Sequence, residues 1–106
     1  MRLDRIERDE EVVVDVITSP DDELLDTSMA CRTVDVSENG MKVAAGMSIP
    51  VDSKLGLRLD FSTDLYRLEG EVRWNDESGV VGLMLDEDSP DFINWTRMFE
   101  LDLARE

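Results

Sequence analysis

The sequence predicts a mainly β fold, a small six-stranded antiparallel β-barrel with a C-terminal α-helix. Three observations carry that expectation. Six short apolar runs rich in β-branched residues follow one another, turn-forming Gly, Asn, Asp and Pro separate them, and the apolar spacing becomes helical after Pro90. A chain of 106 residues, 42% of them hydrophobic, can bury one core and not two. The expected organisation is a single domain with a flexible arginine-containing arm over 1–10, a barrel over 11–86 and a helix over 89–104.

Val12-Val13-Val14-Asp15-Val16-Ile17 is the first strand, by its β-branched content. Ser19-Pro20-Asp21-Asp22-Glu23 then breaks the pattern and reads as a solvated acidic loop, its spacing unlike that of an EF-hand calcium loop. Leu24 to Met29 fits no single element. Cys31-Arg32-Thr33-Val34 and Met41-Lys42-Val43-Ala44-Ala45 form a hairpin around Asp35-Val36-Ser37-Glu38-Asn39-Gly40, where Asn-Gly is a hairpin signal because both residues tolerate positive φ. Past Gly46 and Pro50, Leu55 to Phe61 alternates with period two, as a half-buried strand does. Ser62-Thr63-Asp64 turns into Leu65 to Trp74, with Gly70 a candidate bulge. Asn75 to Gly79 loops back into Val80 to Asp86.

Closing such a sheet removes its exposed edges, which favours a barrel. Ser89 as N-cap and Pro90 in the first turn start the helix. Phe92, Trp95, Phe99 and Leu103 recur at helical spacing, and Ile93, Met98 and Leu101 widen the apolar side. This stripe reads as packing on the barrel or covering one mouth, with a partner surface as the other reading.

Composition excludes several function classes. Eleven Lys and Arg against 26 Asp and Glu leave a net charge of −15, which opposes nucleic-acid backbones and anionic membrane surfaces. The charge instead favours a basic protein partner. With no histidine, Ser-His and Cys-His catalysis and histidine-bearing zinc sites are excluded, and no paired carboxylates stand in a catalytic setting, so no enzyme is expected. Cys31 is a single cysteine in a strand and reads as a small buried hydrophobe. No apolar run is long enough for a signal peptide or a membrane span, and the expected location is the reducing cytoplasm.

The hexapeptide is the strongest functional feature. Asp35 and Ser37, two apart, share one face, where a carboxylate and a hydroxyl suit a planar hydrogen-bonding ligand such as a purine base. Gly40 permits close approach. The plain alternative is turn chemistry, since Asp, Ser, Asn and Gly serve any hairpin. Arg2, Arg5 and Arg8 concentrate positive charge at the N-terminus, where they either hold an anion or keep the terminus solvated.

The order of these features resembles a PilZ domain from about Val12 to Leu101. The likeness rests on Asp35-x-Ser37-x-x-Gly40, the hydrophobic strand after it, the Gly46-to-Pro50 turn, Glu71-Val72-Arg73-Trp74, Val81-Gly82-Leu83-Met84 and the final amphipathic helix. The resemblance implies a bacterial receptor or adaptor for the second messenger cyclic di-GMP, in the split-barrel fold of that family, with the nucleotide as ligand and no cofactor. It assigns Asp35, Ser37 and Gly40 to the ligand and implies phosphate contacts from arginines ahead of the first strand. Family members carry two such arginines four apart, whereas Arg2, Arg5 and Arg8 are spaced by threes. Trp74 offers a stacking face for guanine or, alternatively, a rim residue that shields the core. A second functional reading is a PilZ domain that no longer binds the nucleotide and works through protein contacts in motility or pilus regulation.

Overall fold

A computed structural model of the chain describes residues 6–7, 9–61 and 64–100. Their elements are β1 (Ile6–Glu7), β2 (Glu11–Thr18), β3 (Ser28–Val36), β4 (Gly40–Ala44), β5 (Lys54–Phe61), β6 (Asp64–Asn75), β7 (Val80–Leu85) and α1 (Phe92–Met98). The sheet runs β3-β2-β5-β6-β7-β4, and β4 pairs back onto β3, so six antiparallel strands close into the barrel that the alternating runs predict. Closure leaves no unpaired long edge among the described residues.

Alternation is what makes the core. Val12, Val14 and Val16 of β2, Leu55, Leu57, Leu59 and Phe61 of β5, and Val81, Leu83 and Leu85 of β7 all point inward and are buried. Each such side chain contributes roughly 1.5–3 kcal/mol by leaving water. Helix α1 covers one mouth of the barrel. Its Trp95 is 0% exposed and packs edge-to-face on Phe61, Tyr66 and Phe99, with centroids 5.5, 5.2 and 5.1 Å away. The described part of the stripe, Trp95, Met98 and Phe99 with Phe92 packed against them, is therefore core. Ile93 departs from it: at 69% exposed it faces solvent rather than widening the packed side.

Other departures have local causes. The segment 24–29 divides between a 3-10 turn over Asp22–Leu24, capped by Asp21 accepting from the Glu23 N–H, and the start of β3 at Ser28. Ser89 does not cap the helix. Its hydroxyl accepts from the Glu69 N–H at 2.8 Å and donates to the Asp86 carbonyl, tying the segment before α1 to β6, and the helix begins only at Phe92. Gly70 is in regular register between Leu55 and Leu85; the bulge of β6 is at Arg73. A Cβ at 70 would stand 3.1 Å from the Met84 carbonyl oxygen, a tight contact that would press on the β7 backbone.

Asn39 and Gly40 do not use positive φ. Among the described residues only Asp26, Asp52, Gly46 and Gly79 do. The hairpin instead closes without left-handed backbone at these two residues, the Ser37 N–H donating to the Gly40 carbonyl at 2.9 Å across Glu38 and Asn39. Part of the N-terminal arm is paired: Ile6–Glu7 lies against Val36 and Asp35, because β3 extends beyond β2 and its backbone groups require partners. Ser62, Thr63, Leu101, Leu103 and the expected end of the helix lie outside the described residues.

Candidate functional site

Two β-bulges give the site its shape. In β3, Thr33 pairs with Val43 and Asp35 with the adjacent Lys42, so Val34 is an extra residue. Simple alternation from Cys31 and Thr33 would send Asp35 into the barrel and Val36 outward. The extra residue reverses this, since a shift of one flips every later side chain. Val36 enters the core and Asp35 turns to the outer face opposite Lys42. In β6 the same device operates at Arg73: Val72 stays inside opposite Leu83, and Trp74 turns outward opposite Gly82.

The two re-aimed residues lie on one line. Asp35 of β3 is opposite Lys42 of β4, Lys42 is opposite Gly82 of β7, and Gly82 is opposite Trp74 of β6. Cross-strand partners share a face, so carboxylate, ammonium and indole stand side by side on the outer surface. Lys42 Nζ is 3.5 Å from Asp35 Oδ2 and 5.8 Å from the centroid of the Trp74 ring. Asp35 is only 6% exposed whereas Trp74 is 43% exposed, giving a recessed acceptor beside an open flat ring.

Gly82 sets where that ring lies. A Cβ there would be 2.2 Å from Trp74 Cε2 and Nε1, so the indole rests across bare backbone. The neighbouring hexapeptide is held from below. Trp95 Nε1 of the helix donates to the Ser37 carbonyl at 3.0 Å, and the Ser37 hydroxyl donates to the Gly40 carbonyl at 3.2 Å. Gly40 is constrained by the barrel as well, since a Cβ would stand 3.2 Å from the Leu83 carbonyl oxygen.

Ser37, Gly40, Lys42, Arg73, Trp74 and Gly82 line a groove of about 240 Å³. Among the described residues its lining holds two cations, Lys42 and Arg73, and no carboxylate, in a chain of net charge −15. The groove is thus a local exception to the acidic surface and suits a flat, anionic ligand. Arg73 Nη1 is also 3.1 Å from Glu71 Oε1, but both side chains are half-exposed, so water screens that pair.

Of the residues singled out from sequence, Ser37, Gly40 and Trp74 meet in this groove, and Asp35 joins it through Lys42. Arg2, Arg5 and Arg8 lie outside the described residues. The backbone of β1, which Arg5 and Arg8 flank in sequence, pairs with Asp35 and Val36. Sequence reasoning missed Lys42, Arg73 and Gly82. Their only sequence signal is outward position in alternating strands, and the bulge at Arg73 overrides that alternation for Trp74 alone.

Burial pushes the Cys31 thiol up from its ordinary value, as fits a buried strand residue with no nucleophilic task. Among the described residues, no cluster of three or more His, Cys, Asp or Glu could hold a metal ion, and no helix is long and apolar enough to cross a membrane.

The chain is matched both by a family model and by solved structures. The family model described as PilZ domain matches residues 5–96. Among solved structures, the chain is similar to the crystal structure of the PilZ domain of CeSA from a cellulose-synthesizing bacterium, with a TM-score of 0.68 and 14% identity. That alignment covers 93% of this chain and 96% of the other, and at such identity it speaks for the fold. No curated protein matches the chain.

Proposed function

This chain belongs to the PilZ domain family, whose members are cyclic di-GMP receptors and binding adaptors rather than enzymes, and on that premise we propose that it is itself a cyclic di-GMP receptor. The observation that supports this most is the pair of bulges that turn Asp35 and Trp74 onto one line beside Ser37, Gly40 and a cationic groove. β-Bulges are over-represented next to functional sites, where they re-aim a side chain.

In this reading a guanine lies on the Trp74 indole, held by dispersion and stacking, and donates to the Asp35 carboxylate. Ser37 adds a hydroxyl that donates or accepts, and Gly40 keeps the backbone near the ligand. Arg2, Arg5 and Arg8 supply guanidiniums to the phosphates, with Arg73 at the groove as a further cation. Engagement of the N-terminal arginines by the ligand would convert nucleotide binding into a changed surface for a partner in the bacterial cytoplasm.

Isothermal titration of cyclic di-GMP into the full chain, with tryptophan fluorescence followed in parallel, tests the proposal. Saturable binding that changes the Trp74 emission is expected. Absence of both heat and emission change would refute it and favour the second reading, a protein-contact adaptor in motility or pilus regulation. The observation behind that second reading is the charge of −15, which steers a basic protein toward the surface outside the groove.

A further inference from the structure

We propose that Lys42 is a specificity-determining residue that, together with Asp35, distinguishes guanine from adenine; the inference rests on the receptor reading above. Lys42 belongs to no part of the Asp-x-Ser-x-x-Gly pattern, yet the register sets it between the recessed carboxylate and the exposed indole. Its ammonium stands 3.5 Å from Asp35 Oδ2 and 5.8 Å from the Trp74 centroid. A base lying on Trp74 with its edge toward Asp35 therefore meets an acceptor and a donor side by side.

That order of groups is complementary to guanine. The ring N1–H and exocyclic N2–H donate to a carboxylate, which only accepts, and the adjoining O6 accepts from an ammonium, which only donates. Adenine reverses the two positions. Its N1 lone pair would face the carboxylate and its N6–H group would face the ammonium, so both contacts become repulsive. Because Asp35 is nearly buried and the Lys42 side chain about one-third exposed, the mismatch is not fully relieved by water. Arg73, open to solvent at the groove, remains for the phosphates, so the two cations have separate tasks.

The test is titration of cyclic di-GMP and cyclic di-AMP into the wild-type chain, Lys42→Met and Lys42→Arg, each checked by thermal melting. Methionine retains the apolar stem and removes the charge. Lys42→Met should weaken cyclic di-GMP about tenfold or more, leave cyclic di-AMP unchanged or tighter, and keep the wild-type salt dependence of cyclic di-GMP binding. Lys42→Arg, which still donates to O6, should retain most of the preference. Equal losses for both nucleotides with a flatter salt dependence would make Lys42 a phosphate counter-charge and overturn the proposal, as would wild-type affinity in Lys42→Met. If the wild-type chain itself bound no cyclic di-GMP, the receptor reading would fail first and this inference with it.

Discussion

Gly82→Ala is the most exacting single perturbation of this site, because it adds one methyl group and touches one ring. The added Cβ would stand 2.2 Å from Trp74 Cε2 and Nε1, whereas ordinary carbon contact is about 3.5 Å, so the indole must retreat by about 1.3 Å. At 43% exposure the ring has solvent to move into, and the cost to stability stays within about 1 kcal/mol, or roughly 4–8 °C in melting temperature. The cost to the ligand is larger. Stacking on an aromatic face contributes about 1–3 kcal/mol, so loss of the aligned ring should weaken cyclic di-GMP by roughly 5- to 150-fold. Acrylamide quenching separates the two tryptophans, since Trp95 is 0% exposed and Trp74 is the accessible one. The variant should show more efficient quenching of Trp74, a near-native melt and reduced affinity by calorimetry. Unchanged quenching together with unchanged affinity would refute the argument that Gly82 seats the indole. A fall in melting temperature well beyond about 8 °C would show that the ring is wedged and not free to swing.

Three further outcomes are expected. Trp95→Phe removes the donor to the Ser37 carbonyl while keeping an aromatic in the barrel mouth; urea unfolding should show a loss of about 1–3 kcal/mol and calorimetry a weakened ligand, because the hexapeptide loses its anchor. Asp35→Ala should lower cyclic di-GMP affinity with a native-like melt, and Arg5→Ala and Arg8→Ala should do the same if those guanidiniums meet the phosphates; wild-type affinity in all three would remove these residues from the site. Asp76 accepts from the Ser78 hydroxyl and from the Val80 and Ser78 N–H groups, which hold its carboxyl below the usual carboxylate range. A depressed folded value means that its stabilisation is fully present above the unfolded value, about 4, and is lost as pH falls through the lower folded value. Melts of Asp76→Asn and wild type should accordingly differ at neutral pH and converge in strong acid.

Much of this molecule was legible in the amino-acid order. Strands and turns depend on local chemistry: the valines of 12–14, the alternation of 55–61 and the Asn75–Gly79 loop each specify their own conformation. Helical spacing at Phe92, Trp95 and Phe99 likewise announced a buried face, and Asp35, Ser37, Gly40 and Trp74 stood out by type and position. Sequence by itself therefore determined most of the elements, the closed antiparallel class and four of the site's seven residues, Asp35, Ser37, Gly40 and Trp74.

What tertiary structure alone decided is register. Whether Asp35 faces core or solvent turns on one extra residue, Val34, and whether Trp74 does turns on Arg73; neither bulge has a local signature that separates it from a regular strand residue. Strand pairs recruit residues far apart in sequence. Thus Lys42, 32 positions before Trp74, and Gly82, 40 positions after Lys42, became parts of the site only when β4, β7 and β6 aligned. The same reason explains the misplaced bulge at Gly70 and the helix that starts after Ser89: backbone and hydroxyl groups there follow partners on other strands, not the preferences of their neighbours in the chain.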